Sequence, residues 1–543
     1  MLRPEYLEGL PDEILELFAE AEREILADMA RRISTYDFWI PAADYQNEKL
    51  REAGVLQNDI IKALSHTTRK SEEELRTMMK EAGSMALHSD ESIYKAAGLS
   101  VPSIKDSQPL TSILNAGYRA TATEMKNLCR TTAQTATKQF EDALDRAWLK
   151  VSSGAFDSES AIRSAVKELS EKGVQSIRYP SGHTDSIETA VRRAIVTGVN
   201  QTAAKLQDEL ADELGCDLVE VTAHSGARPE HAVWQGKIYS RSGNDPKYPP
   251  FRQSTGYGTG AGLCGWNCGH SFGPYIEGSP PVWTEEQLAE LNAPKYEYNG
   301  KKLTEYEASQ QQRYNERQIR RWKREYTAME AAGLDTAESA VKLKHWQAVQ
   351  DDFLSKTGFG RQYGREMTAG FGRNQAAAAH AQAEEFYKDW SKSIGANDAI
   401  KTLAKYYDVK YNDSPRYELL KRYVQSVKSG RMSPMSHFDL YEEYHRRIQS
   451  EVVGKTVGGV TISGQTAHFL ERVFGTMCDP KTGLHRNGVS LEEIQDCIAN
   501  PVGILPVKTD VNGRRSFVVV GRTAKVSISA DSGLLIQTNP RRE

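Results

Sequence analysis

The stretch His224–Gly278, HSGARPEHAVWQGKIYSRSGNDPKYPPFRQSTGYGTGAGLCGWNCGHSFGPYIEG, decides how the chain is divided. Glycine and proline interrupt it too often for long helices, which predicts a compact, loop-rich module. Two short runs of strand character, Asp217–Thr222 and Lys237–Ser240, frame its first half. His224, Arg228, His231, Trp234, Cys264, Cys268 and His270 make it the densest polar cluster in the chain.

Cys264-x3-Cys268-x-His270 brings zinc-ligand types together at ligand spacing. Either His224 or His231 supplies a fourth ligand, and the expected set is Cys264, Cys268, His270 and His224. A structural zinc would tie down a segment that buries little apolar area. The same residues also fit two small buried thiols beside histidines bonded to loop carbonyls. An enzymatic reading would use His231 as base and Arg228 as anion clamp, but no nucleophile or carboxylate dyad accompanies them. Gly258, Gly260 and Gly262 do not form a GxxxxGK[ST] phosphate loop, so they read as tight turns.

The flanks are helical. N-terminal to the module, Ile14, Phe18, Ala21, Ile25 and Met29 follow helical spacing from Pro11 onward. Further helices are expected over Ser71–Leu87, Leu110–Val151 and Ser186–Leu214. Alanine and threonine dominate Leu110–Val151, which permits close helix packing or a face for a ring-shaped partner. C-terminal to the module, Thr304–Ala332 reads as a helix stopped by Gly333, its Arg and Glu forming a solvated face with i,i+4 pairs. The duplicated GFGR of Gly358–Arg361 and Gly370–Arg373 reads as a flexible basic linker. After residue 430, helices over Ser436–Val452, Thr466–Phe474 and Ser490–Asn500 precede strands Gly503–Lys508, Ser516–Val520, Ala524–Ser529 and Leu534–Thr538. Asn512-Gly513 and Asp531–Gly533 are turn signals.

The expected architecture is therefore multidomain. A mainly α region (1–213) leads to a loop-rich α+β module (214–280). A mainly α connector (281–430) then leads to a small α+β domain with an antiparallel sheet (431–543). The length of 543 residues fits several domains, and 39% apolar with 26% charged residues fits a globular rather than a disordered chain. A net charge of -4 excludes a general nucleic-acid coat. Six cysteines, Cys129, Cys216, Cys264, Cys268, Cys478 and Cys497, are too sparse for a disulfide framework. The start MLRPEYLEGLPDEILELF lacks the basic and apolar regions of a signal peptide, so synthesis in a cytoplasm is expected. No apolar run is long enough for a membrane segment.

The module's sequence closely resembles the signature of the phage minor capsid protein 2 family, over residues 1 to about 350. That family occurs in siphovirus and prophage head modules and is related in role to Mu F-like head proteins. The resemblance implies a low-copy head morphogenesis protein located in the virion, with the portal protein and major capsid protein as partners. It carries no catalytic residue over to the module.

A second, looser resemblance covers TAHFLERV…HRNGVSLEEIQDCIANPVG…NGRRSFVVVGRTAKVSISADSGLLIQTNP. It is similar to phage-borne members of the barnase–EndoU–colicin–RelE-like nuclease fold. This implies a metal-independent ribonuclease or tRNase toxin acting on RNA or tRNA, with an immunity protein as partner. Its catalytic candidates are His468 as acid or base, Arg472 on the same helix face, and Arg514, Lys525 and Thr538 on the phosphate. His485 or Arg486 would lie at the rim. From Leu505 to Glu543, basic residues outnumber acidic ones seven to three, which favours an RNA backbone. The alternative is a purely structural minor capsid protein whose C-terminal domain only binds nucleic acid or a partner protein.

Overall fold

Five helices supply most of the first core in the computed structural model, which describes residues 1–154, 156–396, 400–476 and 485–541. Cys478 lies outside the described residues. The chain divides into two compact units, Met1–Ala379 and His380–Glu543.

In the first unit, helices Asp12–Ser34, Ala42–Ala96, Gln108–Ser152, Ser158–Lys172 and Ile187–Glu213 pack their apolar faces together. Ala42–Ala96 runs 55 residues without a break and takes in the shorter helix expected over Ser71–Leu87. The starts follow local chemistry: Ser107, Asp157 and Ser186 each accept a backbone N–H from the first turn of the helix that follows.

The Ala/Thr-rich stretch is core, as its composition implies. Ala133, Ala136, Ala143 and Ala147 are buried along one side of Gln108–Ser152. Near its N-terminal end this helix meets Ile187–Glu213 through a reciprocal pair of contacts. Gly117 faces Thr202, and Gly198 faces Thr121. Each threonine hydroxyl donates back to the carbonyl four residues earlier, Thr121 to Gly117 (3.1 Å) and Thr202 to Gly198 (2.7 Å). The missing Cβ atoms let the two backbones approach closely.

A hairpin, Gln175–Arg178 with Thr184–Ser186, interrupts the helices and was not expected from sequence. Thr132 holds it through a 2.6 Å hydroxyl contact with Ser176.

The helix Glu305–Ala331 begins with a capping box between Thr304 and Glu307 and ends before Gly333 at φ +70°. Arg313 and Arg317 are exposed, but three of its arginines pair outside the helix instead of at i,i+4. Arg313, Arg320 and Arg321 pair with Glu8, Glu188 and Glu171, because Ile319, Trp322 and Tyr326 bury the opposite side and draw the helix against its neighbours. The GFGR copies are not a flexible linker either. Gly358 ends the helix Ala337–Thr357, and Arg361 is held between Asp351 and Glu366.

The second unit starts well before residue 431. The part of the expected connector (281–430) after Ala379 joins the C-terminal core, where Leu419, Leu420 and Tyr423 pack, with Tyr423 against Phe438 and Tyr441. The core continues through helices Phe438–Glu451, Ala467–Val473 and Leu491–Ala499 onto one face of a sheet. Arg515–Val520, Ala524–Ser529 and Leu534–Pro540 form an antiparallel meander, with Val519 opposite Val526 and Val526 opposite Thr538. Gly503–Ile504 and Lys508–Thr509 pair with the outer side of Arg515–Val520, and Gly464–Gln465 adds a parallel edge beside Leu534. The Asn512-Gly513 turn is closed by Asp510, which accepts the backbone N–H groups of Asn512 and Arg514. Among the described residues, no helix is long and apolar enough to cross a membrane.

Candidate functional site

The module is organised around Leu218–Val221, the middle strand of a three-stranded antiparallel sheet. Ile238–Ser240 flanks it on one side, as expected. Phe272–Pro274 flanks it on the other and was hidden inside the loop-rich sequence. Arg241, just past Ile238–Ser240, locks the sheet to the helix Ile187–Glu213. Its guanidinium donates to Asp208, Asp212 and the carbonyl of Cys216.

The glycines form a backbone cage and not a phosphate loop. A Cβ on Gly262 would lie 2.1 Å from the Gly256 carbonyl oxygen, and one on Gly265 would lie 2.3 Å from that of Gly260. Cys264 and Asn267 sit at positive φ, +57° and +50°, within the tight turns this cage imposes.

This loop delivers Cys268 and His270 beneath the short helix Pro229–Ala232, which carries His231. Cys268 Sγ lies 3.7 Å from His231 Nδ1 and 3.7 Å from His270 Nδ1. All three residues are buried, and their ligand atoms lie within 4.8 Å of one another. Asn200, from the helix Ile187–Glu213, donates to the carbonyls of both Cys268 and His270 at 3.0 Å. His270 Nε2 meets Gln235 Oε1 at 2.9 Å, and His231 Nε2 meets the carbonyl of Ala261 at 3.0 Å. The His224 ring lies tilted against His270 at 4.3 Å between centroids, with its Nδ1 on the Ser225 carbonyl. Trp234 covers both His231 and His270.

The electrostatics are those of a dry site. Burial, helped by the nearby His224, His231 and Arg228, pushes His270 down to about 2. Burial also lowers His231 and raises the Cys264 and Cys268 thiols. Charged forms of these side chains are disfavoured without a counter-ion. Arg228 is not an anion clamp, because it donates to the carbonyls of Trp266 and Asn267.

Of the four ligands expected from sequence, Cys268 and His270 are brought together and His224 stands beside them. Cys264 Sγ lies 3.6 Å from the His270 carbonyl and is not among the three converging ligand atoms. His231, the alternative ligand, takes its place. Gln235 and Asn200 were not identified from sequence. Gln235 carries a signal, since it lies four residues after His231 on one helical turn.

In the second unit, the residues proposed for catalysis separate into groups. His468 Nδ1 lies 3.2 Å from Glu471 Oε2, and Arg472 Nε donates to His468 Nε2 at 3.4 Å. Burial pushes the Glu471 carboxyl up, but hydrogen bonds from His468 and Ser426 with the Arg431 charge outweigh it and hold it low. Arg472 also donates to Thr476, and Arg486, paired with Thr476 by a β-bridge, donates to Asn539 at 3.0 Å. Asn539 sits opposite the exposed Lys525 in the sheet. Thr538 does not join this group, because its buried hydroxyl donates to the Lys525 carbonyl. Arg514 does not join it either. It follows the Asn512-Gly513 turn, at the end of its strand remote from Lys525, and pairs with Asp510. His485 is exposed.

The chain is similar over 247 residues, at 29% identity, to a structural protein of Lactococcus phage LL-H. That match covers 43% of this chain and 62% of the relative, so the chain spans about three-fifths of the relative's length. It is also similar over 128 residues, at 34% identity, to a structural protein of Lactococcus phage mv4, covering 23% of this chain and 95% of the relative. No solved structure matches. The model of the family described as phage minor capsid protein 2 matches residues 2–355, well over half of the chain. The chain therefore belongs to the phage minor capsid protein 2 family.

Proposed function

We propose that this protein is a low-copy head morphogenesis component of a tailed phage or prophage virion, associating with the portal protein and the major capsid protein. The observation that carries the reading is the coincidence of the family match, residues 2–355, with the compact unit Met1–Ala379. This unit is built for rigidity. Its long helices share one core, and its module is pinned to them by Asn200 and Arg241. A rigid, mainly helical body suits an assembly role better than turnover of a small substrate, since His231, Cys268 and His270 of the module are buried. Mass spectrometry and cryo-imaging of procapsids and virions test this. The expected result is a few copies at the portal vertex. Absence from both particles would refute it.

A second reading concerns the C-terminal unit alone, as a ribonuclease or tRNase countered by an immunity protein. The His468–Glu471–Arg472 group favours it, because a carboxylate holds one imidazole nitrogen and a cation lies at the other, which can exchange a proton once the Arg472 contact opens. Expression of the full chain in a bacterial host, followed by sequencing of RNA ends, tests it. New cleavage sites that disappear in His468→Ala are expected. If RNA ends are unchanged, the domain is a non-catalytic binder of nucleic acid or protein.

A further inference from the structure

We propose that the central module binds one zinc ion through His231 Nδ1, Cys268 Sγ and His270 Nδ1, with His224 Nε2 turning in as the fourth ligand.

Distance is the first argument. Zn–S and Zn–N bonds of about 2.3 and 2.05 Å at a tetrahedral angle place sulfur and nitrogen about 3.6 Å apart. Cys268 Sγ stands 3.7 Å from each of the two Nδ1 atoms. Both pairs therefore already hold the separation that a shared ion would impose.

Proton bookkeeping is the second. The Ala261 carbonyl can only accept, so His231 carries its proton on Nε2 and presents a bare Nδ1. Gln235 Oε1 already accepts the backbone N–H of His224, which fixes it as the oxygen. His270 must then donate to it through Nε2 and also presents a bare Nδ1. Two nitrogen lone pairs thus converge on one thiol, whose single proton can satisfy only one of them. His224 repeats the pattern: Nδ1 donates to the Ser225 carbonyl, and the buried Nε2 has no hydrogen-bond partner. A thiolate and bare imidazole nitrogens, each imidazole oriented by an outer acceptor, are what a zinc ion needs. The thiol proton leaves to solvent as the ion binds.

The donor set selects the metal and the role. One sulfur and three nitrogens suit tetrahedral zinc and not a hard cation. His231, Cys268 and His270 are all at most 4% exposed, which makes the site closed and structural. The ion would join the short helix Pro229–Ala232 to the loop ahead of Phe272–Pro274. Cys264 plays no part, because its Sγ is not among the ligand atoms that converge within 4.8 Å.

The test uses the full chain purified without chelators or an immobilised-metal step. Elemental analysis should find about one zinc per chain, falling below about 0.1 in Cys268→Ser and staying near one in Cys264→Ser. Cobalt substitution of the wild-type protein should give tetrahedral ligand-field bands and a thiolate charge-transfer band. This readout stands even if a variant fails to fold. His224→Ala should weaken zinc retention and shift the cobalt bands. Protein free of zinc that also gives no thiolate–cobalt band would overturn the proposal. Loss of zinc in Cys264→Ser with retention in Cys268→Ser would overturn the ligand set. An unchanged His224→Ala variant would overturn the fourth ligand.

Discussion

Replacing Gly198 with alanine would put a methyl carbon 2.2 Å from Thr121 Oγ1 and 3.0 Å from its Cγ2, where ordinary contact begins at 3.4 Å. The shortfall of 1.2 Å cannot be relieved by the threonine alone. Its side chain is buried and its hydroxyl is bonded back to Gly117. The helices Gln108–Ser152 and Ile187–Glu213 must therefore separate. Overpacking of this kind costs about 1–3 kcal/mol, more than the roughly 1 kcal/mol that alanine gains over glycine in a helix. Gly54 is the control: it lies in Ala42–Ala96, and a Cβ added there would have nothing within 4 Å, so Gly54→Ala should stabilise by about 0.5–1 kcal/mol. Thr121→Ala removes the two nearest atoms, so the double variant should recover at least about 1 kcal/mol relative to additivity. Urea unfolding of the full chain, followed with hydrogen exchange over 187–213, measures these differences. Exchange should also rise at Cys268 and His270, because Asn200 moves with the helix that Gly198 occupies. Equal effects of Gly198→Ala and Gly54→Ala, or strict additivity with Thr121→Ala, would refute this account of the crossing.

Glu316 is buried with one carboxylate oxygen unpartnered, and burial, opposed by Arg365 and Arg320, pushes it up to about 7. Its folded value lies above its unfolded one, so its contribution is complete below about pH 4.5 and is lost as pH rises through 7. Glu316→Gln should flatten that decline, by at most about 3 kcal/mol, in stability measured against pH. Arg241→Lys keeps the charge but loses the fork that spans Asp208, Asp212 and the Cys216 carbonyl. It should cost about 2 kcal/mol and speed limited proteolysis between 214 and 250. Thr304→Ala removes half of a capping box and should cost about 1 kcal/mol in urea unfolding, whereas Thr304→Ser should be close to neutral.

Local signals were legible in the sequence and non-local ones were not. Thr304, Glu307 and Gly333 mark both ends of their helix because capping is decided within four residues. Asn512-Gly513 locates its turn for the same reason, and the Ala/Thr stretch announced a close helix crossing. The merger of Ser71–Leu87 into a 55-residue helix escaped because its earlier turns are polar and Gly54 reads as a break. Phe272–Pro274 is a strand only because Leu218–Val221 lies beside it, some fifty residues away. The cysteine–histidine site was half legible. Spacing suggested Cys264 with Cys268, but Cys264 Sγ is not among the converging ligand atoms, and His231 arrives on a separate helical turn. The core of the second unit takes in Tyr423, ahead of the boundary expected at 431, because residues that follow it recruit it.

The helix Ala42–Ala96 also has a use that its chemistry does not reveal. At 1.5 Å per residue, its 55 residues make a rod about 80 Å long. In a particle map too coarse to show side chains, most helices are short and alike, but a rod of that length is an unmistakable landmark. Because Asp12–Ser34 and Gln108–Ser152 pack against it, finding the rod would place this unit and set its orientation before a single residue could be read.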